Sequence, residues 1–134
     1  MMTITPEQDA YLREQKMAVL ATGRKDGSPQ ISTINYAFDG TDIAISVTSD
    51  RAKWVNAVRQ PRVSMLVLDG HKQLILYGTA EGVTDDPARL ELTKRIRTSM
   101  GFDGDGDDAK LSAQLDEAKR VVLRITPDKV FMND

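Results

Sequence analysis

Ser46-Val-Thr-Ser-Asp50-Arg51-Ala-Lys53-Trp-Val-Asn56-Ala-Val-Arg-Gln-Pro61-Arg62 is the stretch on which the fold turns. Just ahead of it Ile43, Ile45 and Val47 alternate with smaller residues, as in a strand with one face toward a core. The strand runs out into hydroxyls and an acid, then into a helix that must stop before Pro61, because the residue preceding a proline disfavours helical backbone. The first turn of this helix carries Arg51 and Lys53. A cation at the positive end of a helix dipole gives up roughly 0.3 to 1 kcal/mol. Backbone amides, hydroxyls and two cations at one helix start are the groups a phosphate needs. We read the turn as a holder for the phosphate of a cofactor. The plainer alternative is a pair of surface cations with Asp50 as helix cap.

Upstream, Thr5-Pro6-Glu7-Gln8 reads as a helix start: Thr5 caps, Pro6 suits the first helical position and Gln8 completes a capping box. That helix is expected to end near residue 16, and Met17-Ala-Val-Leu-Ala-Thr22 to form a strand. Asp26-Gly27 is a hairpin turn into a second strand over residues 30–38, and Asp39-Gly40 turns into the third, over 43–48. Beyond Pro61, residues 63–68 are apolar at every second position on both faces, which predicts a central buried strand. Asp69-Gly70 leads into a fifth strand over 73–83. Asp86-Pro87 repeats the cap-plus-proline signal before a helix with Leu92, Ile96 and Met100 on one stripe. An acidic, glycine-rich loop over 102–108 and a short helix over 111–118 precede a sixth strand, 120–126, and a seventh is placed near Val130-Phe131. Six or seven strands joined by hairpin turns, with one crossover helix, imply a mainly β, antiparallel barrel with peripheral helices in a single domain.

The bulk numbers narrow the function. At 134 residues the chain is long enough for a real core, and 40% hydrophobic with 28% charged residues fits a soluble globular protein. A net charge of -2 and a pI near 5.4 exclude a general nucleic-acid binder, though not a local basic patch. Without cysteine there are no disulfides, thiolate metal sites or cysteine nucleophiles. No apolar run approaches the roughly 20 residues that span a bilayer. Met1-Met-Thr-Ile-Thr-Pro-Glu lacks the pattern of a signal peptide, so a cytoplasmic location is expected, with no membrane partner. His71, the only histidine, sits in a turn and is read as solvated. Asp103-Gly-Asp105-Gly-Asp107 imitates the start of a calcium loop, but Asp108 stands where glycine is required and Gln114 where a bidentate glutamate is required.

With the elements placed, four motifs come into register. They are Asp26-Gly27-Ser28-Pro29, Arg51-Ala52-Lys53 followed by Asn56, Pro61-Arg62-Val63-Ser64, and Gly78-Thr79-Ala80-Glu81. On these the chain resembles the split-barrel flavin-binding superfamily typified by pyridoxamine-phosphate oxidase, and most of all its branch that uses the deazaflavin coenzyme F420. The resemblance implies a homodimer with the cofactor in a groove between subunits. It implies that Ser46, Val47, Thr48, Arg51 and Lys53 grip the cofactor phosphate and that Asn56 supports the helix start. Ser32, Thr33, Ile34 and Asn35 would line the ring, and Gln73 falls where the oxidases place a glutamine against the flavin. The oxidases carry basic residues where this chain has Ser32 and Ala37, and a tryptophan- and arginine-bearing segment where it has Lys129-Val-Phe-Met-Asn-Asp134. Pyridoxal phosphate synthesis is therefore not expected, and a deazaflavin is favoured over FMN.

The shortage of acid-base and nucleophilic groups agrees with a cofactor that carries the chemistry. The expected activity is hydride transfer from reduced F420 to a conjugated, electrophilic small molecule, with a proton from solvent or Tyr77. The alternatives are an FMN-dependent oxidase or reductase on the same barrel, and a carrier that binds F420 or flavin without turnover. Trp54, Val55 and Val58 are read as a buried stripe of the crossover helix rather than a ring-stacking site. The plainer alternative for Ser32, Thr33 and Asn35 is the exposed face of a two-sided sheet.

Overall fold

The computed structural model describes residues 3–102 and 106–133. Helix α1 (Pro6–Glu14) opens with the expected capping box: Thr5 Oγ1 accepts from the Gln8 amide at 3.1 Å, and Gln8 Oε1 accepts from the Thr5 amide at 3.0 Å. It ends two residues earlier than expected. Its inner side buries Tyr11 and Leu12, and the Tyr11 hydroxyl donates to the carbonyls of Val67 and Lys72, fastening the helix to the sheet.

Seven strands follow: β1 (Met17–Gly23), β2 (Pro29–Asn35), β3 (Ala37–Phe38), β4 (Ile43–Thr48), β5 (Arg62–Asp69), β6 (Lys72–Val83) and β7 (Arg120–Asn133). Their order across the sheet is β2-β1-β5-β6-β7-β4-β3, with every pairing antiparallel. The sheet curls until β2 comes back against β4 without joining it, which makes a split barrel. Inside lie Leu20, Ile43, Ile45, Met65, Leu76, Leu123 and Ile125, each essentially without exposure.

Three strand expectations change. The single strand over 30–38 is two, broken at Tyr36, whose amide bonds the Lys16 carbonyl and whose buried hydroxyl donates to Leu12. Burial raises the Tyr36 phenol well above its ordinary pKa. The two pieces expected after residue 120 are one strand of 14 residues, bent where its register with β6 shifts between Tyr77 and Gly78. Gly78 is required there, since a Cβ would stand 2.6 Å from the Thr126 carbonyl oxygen. Strand β5 is central as expected, but only its inner face is buried: Val63, Met65 and Val67 point in, and Leu68 is half exposed on the other face.

Three helices complete the fold: α2 (Ala52–Arg59), α3 (Ala88–Ser99) and α4 (Asp108–Glu117). On α2 the expected stripe is wrong in two of three positions, because Val55 and Val58 are 49% and 54% exposed. The helix instead sinks Asn56 and Ala57, with Trp54 packed on the core and over Gly82. Asp86 does not cap α3; its carboxylate takes the Arg89 guanidinium, and Pro87 occupies the cap position. Leu92 and Ile96 bury α3 against Ala44, Val83 and Val122 on the outer face of β4, β6 and β7, whereas Met100 is exposed. Helix α4 joins α3 through Leu90, Leu111 and Leu115. Asp103 to Asp105, in the calcium-loop imitation, lie outside the described residues. Among the described residues no helix is long and apolar enough to cross a membrane.

Candidate functional site

A cavity of about 720 Å³ opens between the outer face of the barrel split and the α3–α4 layer. That is within the range of small-molecule sites. One wall comes from a short span of sequence: Thr33, Ile34 and Asn35 on β2, Ser46 on β4 and Lys53 in the first turn of α2. The opposite wall comes from far along the chain: Thr93, Ile96 and Arg97 on α3, Met100 at its C-cap, then Phe102, Leu115 on α4 and Arg120 at the start of β7. Arg120 arrives beside Lys53 because it pairs with Thr48, where β4 turns toward α2.

The electrostatics are one-sided. Lys53, Arg97 and Arg120 line the cavity, and among the described residues none of those lining it is acidic. Burial, then Arg51, then Arg120 lower the Lys53 pKa below its ordinary value, as expected of a cation crowded by like charges away from water. The start of α2 aggravates this. Its cap residue is Arg51, no side chain caps the helix, and its first turn holds no acid. Asp50 is turned away from the helix amides, accepting from the Thr48 hydroxyl at 2.7 Å. The plain reading, with Asp50 as cap, is therefore not what forms. A partly desolvated lysine crowded by two arginines beside an uncapped helix start is stabilised by an anion.

Of the eleven residues singled out from the sequence, Thr33, Ile34, Asn35, Ser46 and Lys53 meet at the cavity. Val47 points into the barrel core and is buried. Thr48 is engaged with Asp50, and Arg51 is exposed on the rim. Among the described residues the Asn56 side chain makes no bond at the helix start: its amide donates to Thr22 Oγ1, which donates to Gln30 Oε1, and Arg59 donates to the Asn56 side-chain oxygen, so it ties α2 to β1 instead. Ser32 has a buried hydroxyl without a partner, an arrangement rare enough to call for a ligand or water. Strand β2 is an edge, not a central strand, so the exposure of Thr33 and Asn35 has a structural reason of its own. Gln73 is at the far end of β6 from Val83, whose neighbour Val122 adjoins Ser46; ten residues of strand put them roughly 33 Å apart along the chain. Tyr77 lies on the outer sheet face, edge-on to Phe131, and lines only a smaller cleft with Arg62 and Ser64.

The sequence reading missed seven lining residues, Thr93, Ile96, Arg97, Met100, Phe102, Leu115 and Arg120; it placed Ile96 and Met100 on one helical stripe but not at a site.

A split barrel with an open, cation-lined cavity between sheet and helices defines the structural class. The chain belongs to the pyridoxamine 5'-phosphate oxidase family, whose profile matches residues 4–134. It is similar to an F420H(2)-dependent biliverdin reductase of Mycobacterium tuberculosis (strain CDC 1551 / Oshkosh), with 35% identity over 95 residues, 66% of this chain and 69% of that protein. Among solved structures, an F420 reductase superposes with a TM-score of 0.73 at 26% identity, covering 96% of this chain and 98% of that one. A conserved hypothetical protein of Mycobacterium tuberculosis superposes with a TM-score of 0.81 at 24% identity, covering 99% and 86%.

Proposed function

We propose that this protein is an F420-dependent reductase acting on a conjugated, electrophilic small molecule. The observation that carries the reading is the cavity's charge: Lys53 and Arg120 converge with Ser46 at an uncapped helix start, with no acid among the described lining residues. The donor set fits a phosphate ester, and the apolar wall of Ile34, Ile96, Met100, Phe102 and Leu115 fits a flat ring and its acceptor. When bound, the deazaflavin supplies the hydride. The chain's own part is to fix the phosphate end, hold two flat molecules in contact and exclude water, all of which lower the barrier by orientation. Tyr77 is outside its own subunit's cavity, so solvent at the mouth is assigned the proton. Deazaflavin is favoured over FMN because β2 and β3 bring no cation to the ring: Ala37 on β3 is buried against α3, and Ser32 on β2 offers only a hydroxyl. The names of the F420-dependent relatives support the same choice.

The active form is proposed to be a homodimer. Val19, Leu66, Ile75 and Phe131 are cross-strand neighbours in one row over the outer face of β1, β5, β6 and β7. Ile31, Leu68 and Tyr77 add exposed apolar area around this row. Through the Val19–Thr33 pairing the row runs directly into the cavity wall, so a second copy seated there would close the open side.

Fluorescence titration with F420 and FMN side by side tests the cofactor, and oxidation of reduced F420 with a panel of acceptors tests turnover. The expected result is tighter F420 binding and turnover with at least one acceptor. Tighter FMN binding would transfer the protein to the flavin branch, and F420 binding without any oxidation would make it a carrier.

A further inference from the structure

Arg89 is 5% exposed and lies outside the cavity, yet it touches every element of the far wall. Its guanidinium grips both carboxylate oxygens of Asp86 (3.0 and 3.1 Å) just before α3. It reaches Asp116 on α4 at 2.9 Å, and the Ser112 hydroxyl on the same helix at 3.2 Å. It also donates to the backbone carbonyl of Arg120 at 3.3 Å. All of its nitrogens are committed, and the planar fork that does this is not available to lysine.

What Arg89 spans is a strained turn. Between α4 and β7 the chain reverses through Lys119, the one non-glycine residue with positive φ (56°) among those described. A β-carbon disfavours that conformation, and such residues persist only where their surroundings over-determine them. Here the Lys119 amide bonds the Asp116 carbonyl and its own carbonyl accepts from Ser49, so the turn is closed down onto the end of β4. The next residue is Arg120, which lines the cavity beside Lys53.

We propose that Arg89 is a positioning residue that straps this turn and so aims Arg120 at the anion end of the cavity. As it concerns cofactor affinity, this rests on the F420 reading above. An arginine devoted only to packing α4 would not need the Arg120 carbonyl, which lies beyond the left-handed residue that ends the helix.

The test compares Arg89→Lys, Arg120→Ala and the double variant. Arg89→Lys is expected to raise the Kd for F420 about tenfold while the protein stays folded, and to have less than about a twofold effect once Arg120 is alanine, since coupled residues are non-additive. Equal effects in both backgrounds would overturn the proposal. Lys119→Gly added to Arg89→Lys should recover melting temperature by relieving the turn, and should leave affinity low; recovery of affinity as well would mean that Arg89 only stabilises. Hydrogen exchange over residues 111–121, measured without cofactor, separates the two readings. If wild-type protein fails to bind F420, the function reading falls, and faster exchange there in Arg89→Lys than in wild type still upholds the strap. Unchanged exchange removes it.

Discussion

The wall of the cavity built by β2, β4 and the start of α2 differs from the wall built by α3, α4 and the start of β7 in how its side chains are held. The first stands directly on the barrel core, with α2 pinned by Ala57 in the main apolar cluster and by the Asn56–Thr22–Gln30 chain. The second stands on a separate layer. Its α4 is secured by a cluster of three leucines and by the contacts of Arg89. Local stability follows buried apolar contact, so the first wall is the firm one and the second the one that opens at lower free energy. On the F420 reading, the phosphate end would draw Lys53 and Ser46 from the firm wall and Arg120 from the other, while the ring and its acceptor would meet the more adjustable side chains of α3 and α4.

The largest test removes the charge shared between the walls. Lys53→Ala combined with Arg120→Ala is expected to cost several kcal/mol in F420 affinity, since each charge-assisted bond to phosphate contributes roughly 1.5 to 3 kcal/mol. The melting temperature should rise slightly or hold, because two like charges leave a crowded site. Titration by fluorescence with a circular-dichroism melt checks both; an unaltered Kd would sever the cavity from the cofactor.

Next comes the difference in firmness. Leu76→Ala, inside the barrel, should destabilise at the upper end of the roughly 2 to 5 kcal/mol seen for buried leucines, and Leu115→Ala at the lower end, since its site borders a cavity and can relax. Chemical denaturation measures both. Leu115→Ala should also weaken acceptor binding, and Leu76→Ala should not. Equal losses would mean that the two layers are one cooperative unit.

That contrast also explains what the sequence disclosed. Local signals carry local structure: the Thr5 capping box, the Asp-Gly turns and the alternation of Ile43, Ile45 and Val47 all formed as read. The first wall was legible for the same reason, because its residues on β2, β4 and the start of α2 all fall within positions 33–53. Arg120 and Leu115 were not legible, since their place depends on β7 pairing with β4 across more than seventy residues of sequence. The α2 stripe misled because Val55 and Val58 have the periodicity of a core face but the eight-residue helix sits at the barrel end, with room beneath it for one side only. Gln73 was placed against the ring by the resemblance alone, and it stands at the other end of its strand from the cavity.

A pH series sharpens the comparison from the firm side. Lys53 has its folded pKa lowered, so the unfolded chain takes up its proton more readily. In the free protein this costs stability below the lowered value, and the cost disappears as pH rises toward the ordinary 10.5. Binding of an anion has the opposite dependence, because it needs the charged form. F420 affinity should therefore fall on going alkaline, beginning below pH 10.5, while the stability of the free protein gains over the same window. Lys53→Arg should flatten both trends, since guanidinium does not titrate there. An affinity that is level with pH in wild type would mean that Lys53 does not meet the ligand.

The smallest effect belongs to Arg51. It stands at the helix start with Lys53, but its side chain is exposed and does not line the cavity, where Lys53 does. A solvated cation near an anion contributes about 0 to 1 kcal/mol, and salt screens most of that. Arg51→Ala should accordingly raise the F420 Kd no more than about fivefold at low salt, with the difference vanishing at high salt. Lys53→Ala should keep its larger effect in both. Two neighbours that the sequence presents as a pair would then separate by burial alone. A salt-resistant loss at Arg51 as large as that at Lys53 would instead put the phosphate on the rim, outside the cavity that Arg120 completes.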